Sequence, residues 1–171
     1  DKDSARFYLL LEDLSLRDAV FPSAVRDNSL DDVRAVLDQM AKLHATFWRS
    51  PRLDGDLSWY QRHVRGSLSE RMDVSLPATI NSDMPANPFK RELVESLGTS
   101  VEAMHALYRR LQSHQATLPQ TLLHGDGHIG NSYLLPDGTA GLLDFQLTAI
   151  GAWAHDVNYL ILTAIDVAER R

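Results

Sequence analysis

The sequence predicts an α+β fold, mostly helical, with a small β element inserted late in the chain. Three observations carry this. Apolar residues recur at three- and four-residue steps through residues 30–48, 89–114 and from 154 onward, the period of helices with one apolar face. Ser132-Tyr133-Leu134-Leu135 and Ala140-Gly141-Leu142-Leu143 flank Pro136-Asp137-Gly138-Thr139; proline presets φ and glycine accepts positive φ, so residues 131–145 read as a β-hairpin. The chain's 171 residues are 44% hydrophobic and 23% charged, the balance of one globular domain with a core.

Taken in order, residues 7–11 form a short apolar run that reads as a buried strand, left by Glu12-Asp13-Leu14. Asn28 or Ser29 caps a helix, with Asp31 and Asp32 favourably placed in its first turn. Val33, Val36, Leu37, Met40, His44, Phe47 and Trp48 make its apolar face, and Pro51 lies beyond its end. Residues 57–72 suggest a weaker helix interrupted by Gly66, and the proline-bearing stretch 77–88 reads as a loop. A longer helix follows to about His114, with Leu93, Leu97, Val101, Met104, Leu107, Tyr108 and Leu111 inward and Gly98 as its bend or break. Thr121-Leu122-Leu123 is a strand before the hairpin. The last helix turns Val157, Leu160, Ile161 and Ala164 inward and runs to residue 171 without a stop signal. The first residue is Asp, and a strand begins almost at once; the chain reads as a piece of a longer protein.

Composition excludes several functions. A formal charge of −6 argues against a nucleic-acid binder. Without cysteine there are no disulfides or thiolate metal sites. No apolar run approaches the ~18 residues of a membrane span, and the N-terminus lacks a signal-peptide layout. The cytoplasm is the expected location; oligomeric state is open.

The chemistry lies in His124-Gly125-Asp126-Gly127-His128-Ile129-Gly130-Asn131 and in Leu142-Leu143-Asp144-Phe145-Gln146. Asp126 and Asn131 are five apart in a glycine-rich loop, and a hairpin brings Asp144 back toward Asn131. Phosphoryl transfer needs Mg²⁺ held by one or two oxygen-bearing side chains, and a group that takes the proton of the attacking hydroxyl. Asn131 and Asp144 supply the first and Asp126 the second. The kinase pattern His-Arg-Asp-x-x-x-x-Asn followed by Asp-Phe-Gly has the same order and step.

These residues resemble the aminoglycoside phosphotransferase and choline kinase superfamily, whose loop reads His-Gly-Asp-x-His-x-x-Asn. His124, Gly125, Asp126, His128 and Asn131 match it position by position. Asp144-Phe145-Gln146 resembles the metal-binding strand end in the form of the ecdysteroid-kinase-like branch, the CHK type. Leu43-His44-Ala45-Thr46-Phe47-Trp48 and His155-Asp156-Val157-Asn158-Tyr159-Leu160 are similar to that branch's flanking segments, and Leu10-Leu11-Glu12-Asp13-Leu14 to the N-lobe strand end and adenine-holding hinge. The matches span the chain apart from residues 50–115.

The resemblance implies a protein-kinase-like fold. Residues 1–14 would be the last N-lobe strand and hinge, with Glu12, Asp13 and Leu14 at the nucleotide. Residues 15–171 would be a helical C-lobe, cut short at its C-terminus, carrying the catalytic loop (124–131) and the metal-binding strand end (144–146). It implies ATP and Mg²⁺ as cofactors and a small-molecule hydroxyl as acceptor, with Asp126 as base, Asn131 and Asp144 on the metal, and His124, His128 and Asp156 supporting the loop. The family's phosphate-binding lysine, its paired glutamate and its phosphate-covering loop have no segment here to supply them, so an N-lobe is largely absent and ATP binding by this chain alone is expected to be poor.

Competing patterns fit less well. Gly125-x-Gly127-x-x-Gly130 matches a dinucleotide fingerprint, but that motif opens a helix and here a strand follows. His124 and His128 have the step of helical zinc ligands, but glycines surround them and no third ligand is evident. His44 reads as a packed core histidine, and Trp48, Trp59 and Tyr60 as core aromatics. Asp54 and Asp56 flank Gly55 in a turn. A non-catalytic ligand-binding relative and a metal-dependent phosphoesterase are the rival functions. The acceptor is open between a cationic amine, suggested by the acidic balance, and a neutral polyol or steroid-like alcohol, suggested by the resemblance.

Overall fold

In the computed structural model, which describes residues 8–170, α1 (Leu30–Phe47) is the central support. Ser29 Oγ accepts from the Asp32 amide at 3.1 Å, and Asp31 and Asp32 sit in the first turn, so hydroxyl and charge both satisfy the helix start. Val33, Val36, Met40 and His44 form its buried stripe. Three of them join Ile129, Ala140, Leu160 and Ala164 in the main core. Trp48 is exposed. Asn28 does not cap this helix. Its amide donates to the carbonyl of Ala164 at 3.0 Å, satisfying a group left over where the last helix ends.

Two small sheets lie beside α1. β1 (Gln61–Arg62), β5 (Ala149–Gly151) and β2 (Thr121–Leu123) pair in the order β1-β5-β2, the first pair parallel and the second antiparallel. Leu122 and Ile150 pack from this sheet onto Leu53, with Leu43 and Phe47 of α1 alongside. β3 (Ser132–Leu134) and β4 (Ala140–Leu142) form the expected hairpin. Its turn is closed by Leu135 and Thr139, while Asp137 accepts from the Thr139 amide and hydroxyl. Val20 bridges to Leu134 on the outer edge. α6 (Ala154–Ala164) closes the core with Asp156, Leu160 and Ala164 buried.

Several expectations are corrected. Residue 7 lies outside the described residues, and 8–11 form no strand; their side chains are exposed. Residues 57–66 are turns and β1 rather than helix, and helix begins only at α2 (Ser67–Glu70). Gly66 at φ +78 is its N-cap, a conformation in which a helix does not pass through.

Residues 77–88 hold no long loop. α2 runs through a π-helical turn (Arg71–Ser75) into α3 (Leu76–Ala86). Pro77 sits in the first turn of α3, where a missing N–H is tolerated, and the wider turn before it relaxes the ladder. The next helix is two, α4 (Pro88–Ser96) and α5 (Val101–Gln115), broken around Gly98.

The apolar face expected on α5 is not buried: Met104, Leu107 and Leu111 are exposed, and Gln112 is the buried residue. α6 stops at Ala164, where Ile165 turns extended, so residues 165–170 do not continue it. Among the described residues no helix is long and apolar enough to cross a membrane.

Candidate active site

The loop 124–131 leaves β2 beneath the amino end of α6. Asp156, fully buried, holds its first two residues. One carboxylate oxygen accepts from the His124 amide at 2.8 Å and from His44 Nε2 at 2.9 Å, and the other accepts from the Gly125 amide at 3.0 Å. Burial alone would raise the Asp156 carboxyl. The hydrogen bond from His44 and the amides of Gly125 and His124 outweigh it, and its pKa lies below the ordinary carboxylate value.

His124 locks the other end of the loop. Its Nε2 donates to the Leu143 carbonyl at 2.6 Å, while Nδ1 accepts from the Asp126 amide at 3.3 Å. These two bonds fix one tautomer. The ring also packs on Phe145, with centroids 4.8 Å apart. Gly125 has φ +86, and a Cβ there would land on the Leu147 carbonyl oxygen, so the loop and the turn Phe145–Leu147 touch through backbone.

Asp126, Asn131 and Asp144 come together through the backbone. The Asp126 carbonyl accepts from the His128 amide and from Asn131 Nδ2, both at 2.9 Å. The Asn131 carbonyl accepts from the Leu143 amide at 2.8 Å. This places Asp144, at φ +54, one residue from the junction, with its side chain exposed and one oxygen accepting from Gln146. Because Asn131 spends its NH₂ on Asp126, its Oδ1 is left as an acceptor. An amide oxygen and a carboxylate, on residues that the Leu143–Asn131 backbone bond brings near each other, are oxygen donors of the kind hard Mg²⁺ takes, so their chemistry fits that ion. Zinc has no such set: among the described residues no three or more His, Cys, Asp or Glu are grouped to hold a metal.

His128 packs edge-on to Tyr159, with centroids 6.0 Å apart, and its Nδ1 is buried with no hydrogen-bond partner among the described residues. Glu12, Asp13 and Leu14 stand apart from this constellation and make no hydrogen bond to it among the described residues. Asp13 caps a short 3₁₀ turn (Leu14–Arg17) by accepting from the Ser15 amide and hydroxyl. Glu12 lies 3.6 Å from Arg17, and the carbonyls of Asp13 and Leu14 accept from the Leu16 and Ala19 amides.

Asp126 opens into a cavity of about 680 Å³ between the π-helical turn, α5 and α6. Tyr159 meets Asp126 there. Burial, then the Asp126 charge and hydrogen bond, raise the Tyr159 hydroxyl above its ordinary value. His155 Nε2 approaches the Gly125 carbonyl at 3.4 Å, and its ring lies 4.4 Å from that of His63. Burial and the neighbouring His155 lower His63 to about 4, so it is neutral near pH 7.

His63 has no local signal in the sequence, because the strand before it, β1, has none either. His155, Asn158, Tyr159 and Leu162 carry a usable one: at steps of three and four they share one face of α6, opposite Asp156, Leu160 and Ala164.

Among known proteins, a model of the phosphotransferase enzyme family matches residues 6–170. No curated protein and no solved structure matches the chain.

Proposed function

The chain belongs to the phosphotransferase enzyme family, and from that membership we propose that it transfers a phosphoryl group from ATP, with Mg²⁺, to a hydroxyl of a small molecule. In this proposal Asp126 is the base, Asn131 and Asp144 hold the metal, and residues 15–171 act as the helical C-lobe of a kinase-like fold. Residues 12–14 stand at the junction with the other lobe, with the backbone of Glu12, Asp13 and Leu14 toward the nucleotide.

The observation that carries the proposal is the bonding of Asn131. Its NH₂ holds the Asp126 carbonyl and its own carbonyl holds the Leu143 amide. One residue thereby joins the base to the strand end bearing Asp144 and still presents an amide oxygen. When bound, Mg²⁺ offsets the charge of the transferred phosphoryl group.

The chain's own residues do the rest. The Asp126 carboxylate accepts the proton of the acceptor hydroxyl as that oxygen attacks phosphorus. Tyr159 lines the same cavity as Asp126 and is placed to orient the carboxylate. Asp156, His44 and His124 keep the loop from shifting, which matters because positioning supplies much of the rate in phosphoryl transfer. The fixed loop also leaves Asp126 at the wall of a cavity largely bounded by apolar side chains, where an acceptor displaces water.

The test is a screen of hydroxylated metabolites with ATP and Mg²⁺, read by ³¹P NMR. A new phosphomonoester resonance, absent without Mg²⁺, is the expected result. Release of inorganic phosphate from phosphoesters without ATP would instead place the chemistry in hydrolysis.

A further inference from the structure

His63 and Gln115 line two cavities. One holds Asp126; the other, of about 210 Å³, does not, and is bounded by Asp54, Arg62, Arg65, Gln112 and Gln120 instead. Its side chains are gathered from three places. β1 pairs with β5 through Arg62 and Ile150. A tight turn follows, in which the Arg65 amide donates to the Arg62 carbonyl at 3.3 Å, so two arginines stand at either end of one turn. Arg62 is drawn inward: its Nη2 donates to the Leu53 carbonyl at 3.0 Å and to Asp54 at 2.7 Å, and its side chain is 13% exposed. Gln112 comes from α5 and is 2% exposed.

Two of these side chains each keep a buried donor with no hydrogen-bond partner among the described residues, Arg62 at Nε and Gln112 at Nε2. Turning the Gln112 amide over does not cure this. Its Oε1 accepts from Arg109, and a guanidinium has no acceptor to offer an NH₂ in exchange. Arg109 is itself fixed, donating to the His63 carbonyl and to Ser69 Oγ and pairing with Asp73 at 2.7 Å. That frame ties the turn after β1 and the π-helical turn to α5. Buried donors in folded proteins are nearly always paired, and an unpaired one is costly. What this corner lacks is an acceptor.

The charge balance runs the same way. The chain as a whole carries −6, yet this cavity has two guanidiniums and, among the described residues lining it, one carboxylate, Asp54. The Asp54 side chain is 86% exposed, so water screens its pull on Arg62. Burial, then the Arg65 charge, lower Arg62 below its ordinary value in spite of Asp54. His63, lowered to about 4, is neutral near pH 7 and adds no charge of its own. Two cations held close, one of them largely out of water, favour an anion between them.

We propose that this second cavity binds a small oxyanion, a carboxylate or phosphate group on a compact molecule, with Arg62, Arg65 and Gln112 as its donors. Guanidinium forks match the oxygens of either group, and Gln112 adds a neutral N–H. The volume lies below the usual range for drug-sized ligands, which limits the molecule to a few carbons. Since His63 and Gln115 are common to both walls, an occupant here touches residues that bound the Asp126 cavity without touching the catalytic loop. The assignment is independent of the phosphotransferase reading.

The test is NMR on the ¹⁵N-labelled full chain at pH 7, with ionic strength held constant by sodium chloride. Malate and inorganic phosphate are the two probes, titrated separately. The Arg62 Nε–H and Gln112 NH₂ resonances should shift saturably with at least one of them, at a dissociation constant of about 1 mM or tighter. Tighter binding of malate would assign the site to carboxylates, and tighter binding of phosphate to phosphate groups; either order supports it. Arg65→Gln, at an exposed position, should weaken binding about tenfold. Arg110→Gln removes the same charge from an exposed position of α5 outside the cavity and should leave the constant within about twofold. Equal weakening by both variants would show a diffuse field in place of a site and overturn the proposal. So would the absence of a saturable shift at both resonances with both anions.

Discussion

His44 Nε2 lies 2.9 Å from the carboxylate of Asp156, although 112 residues separate them. Both are buried, and the same carboxylate holds the His124 and Gly125 amides. A helix near the start of the chain thus fixes the loop that carries Asp126. Asp156→Ala leaves one ring nitrogen and two amides unsatisfied and should cost about 3–5 kcal/mol in chemical denaturation. Asp156→Asn keeps an acceptor and should cost less, while lowering turnover through a displaced Asp126.

Gly125→Ala should damage the site by a different route. The residue sits at φ +86, and its new methyl would meet the Leu147 carbonyl. Strain of this kind costs about 1–3 kcal/mol, and the loop would move away from the turn after Asp144. Denaturation midpoints and turnover should fall together.

Acid should weaken the fold in two steps. His63 is lowered from 6.5 to about 4, so between those values the unfolded chain binds more protons than the folded one, and stability falls as pH falls. The loss is up to about 3 kcal/mol. Asp156 is held below 3.8; its contribution is fully present above that value and is lost at lower pH, as the carboxyl protonates in the folded state. In calorimetric melts, His63→Gln should flatten the first step and leave the second.

Arg109→Met keeps the apolar stem but removes the donors to Ser69, Gln112 and the His63 carbonyl. Three groups lose a partner, at about 1–3 kcal/mol each when fully buried. The ion pair with Asp73, which is half exposed, adds little. Since the α5 wall of the Asp126 cavity loosens while the catalytic loop is untouched, KM should rise with kcat near its normal value.

The parts of the site that are legible in the sequence are those written locally. The Ser29 cap, the Pro136-Asp137-Gly138-Thr139 turn and the Asp126–Asn131 step each depend on neighbours a few residues away, and one hairpin brings Asp144 back to Asn131. What stays hidden depends on distant partners. β1 has two residues and exists because β5 lies beside it. The proline-bearing stretch reads as loop by composition, yet a π-helical turn lets Pro77 start a helix. The α5 stripe is visible as a pattern, but periodicity does not say whether an apolar face meets a core or a cavity. His44 reads as a core histidine, and it is buried; that its partner is Asp156 is not in the pattern.

The proposed phosphoryl transfer rests on Asp126 as its base. The most direct measurement is kcat of Asp126→Asn on an acceptor that the unsubstituted protein phosphorylates, beside the dissociation constant for ATP with Mg²⁺. If Asp126 is the base, kcat falls by at least about 100-fold with nucleotide binding unchanged. Turnover at the wild-type rate would contradict that role.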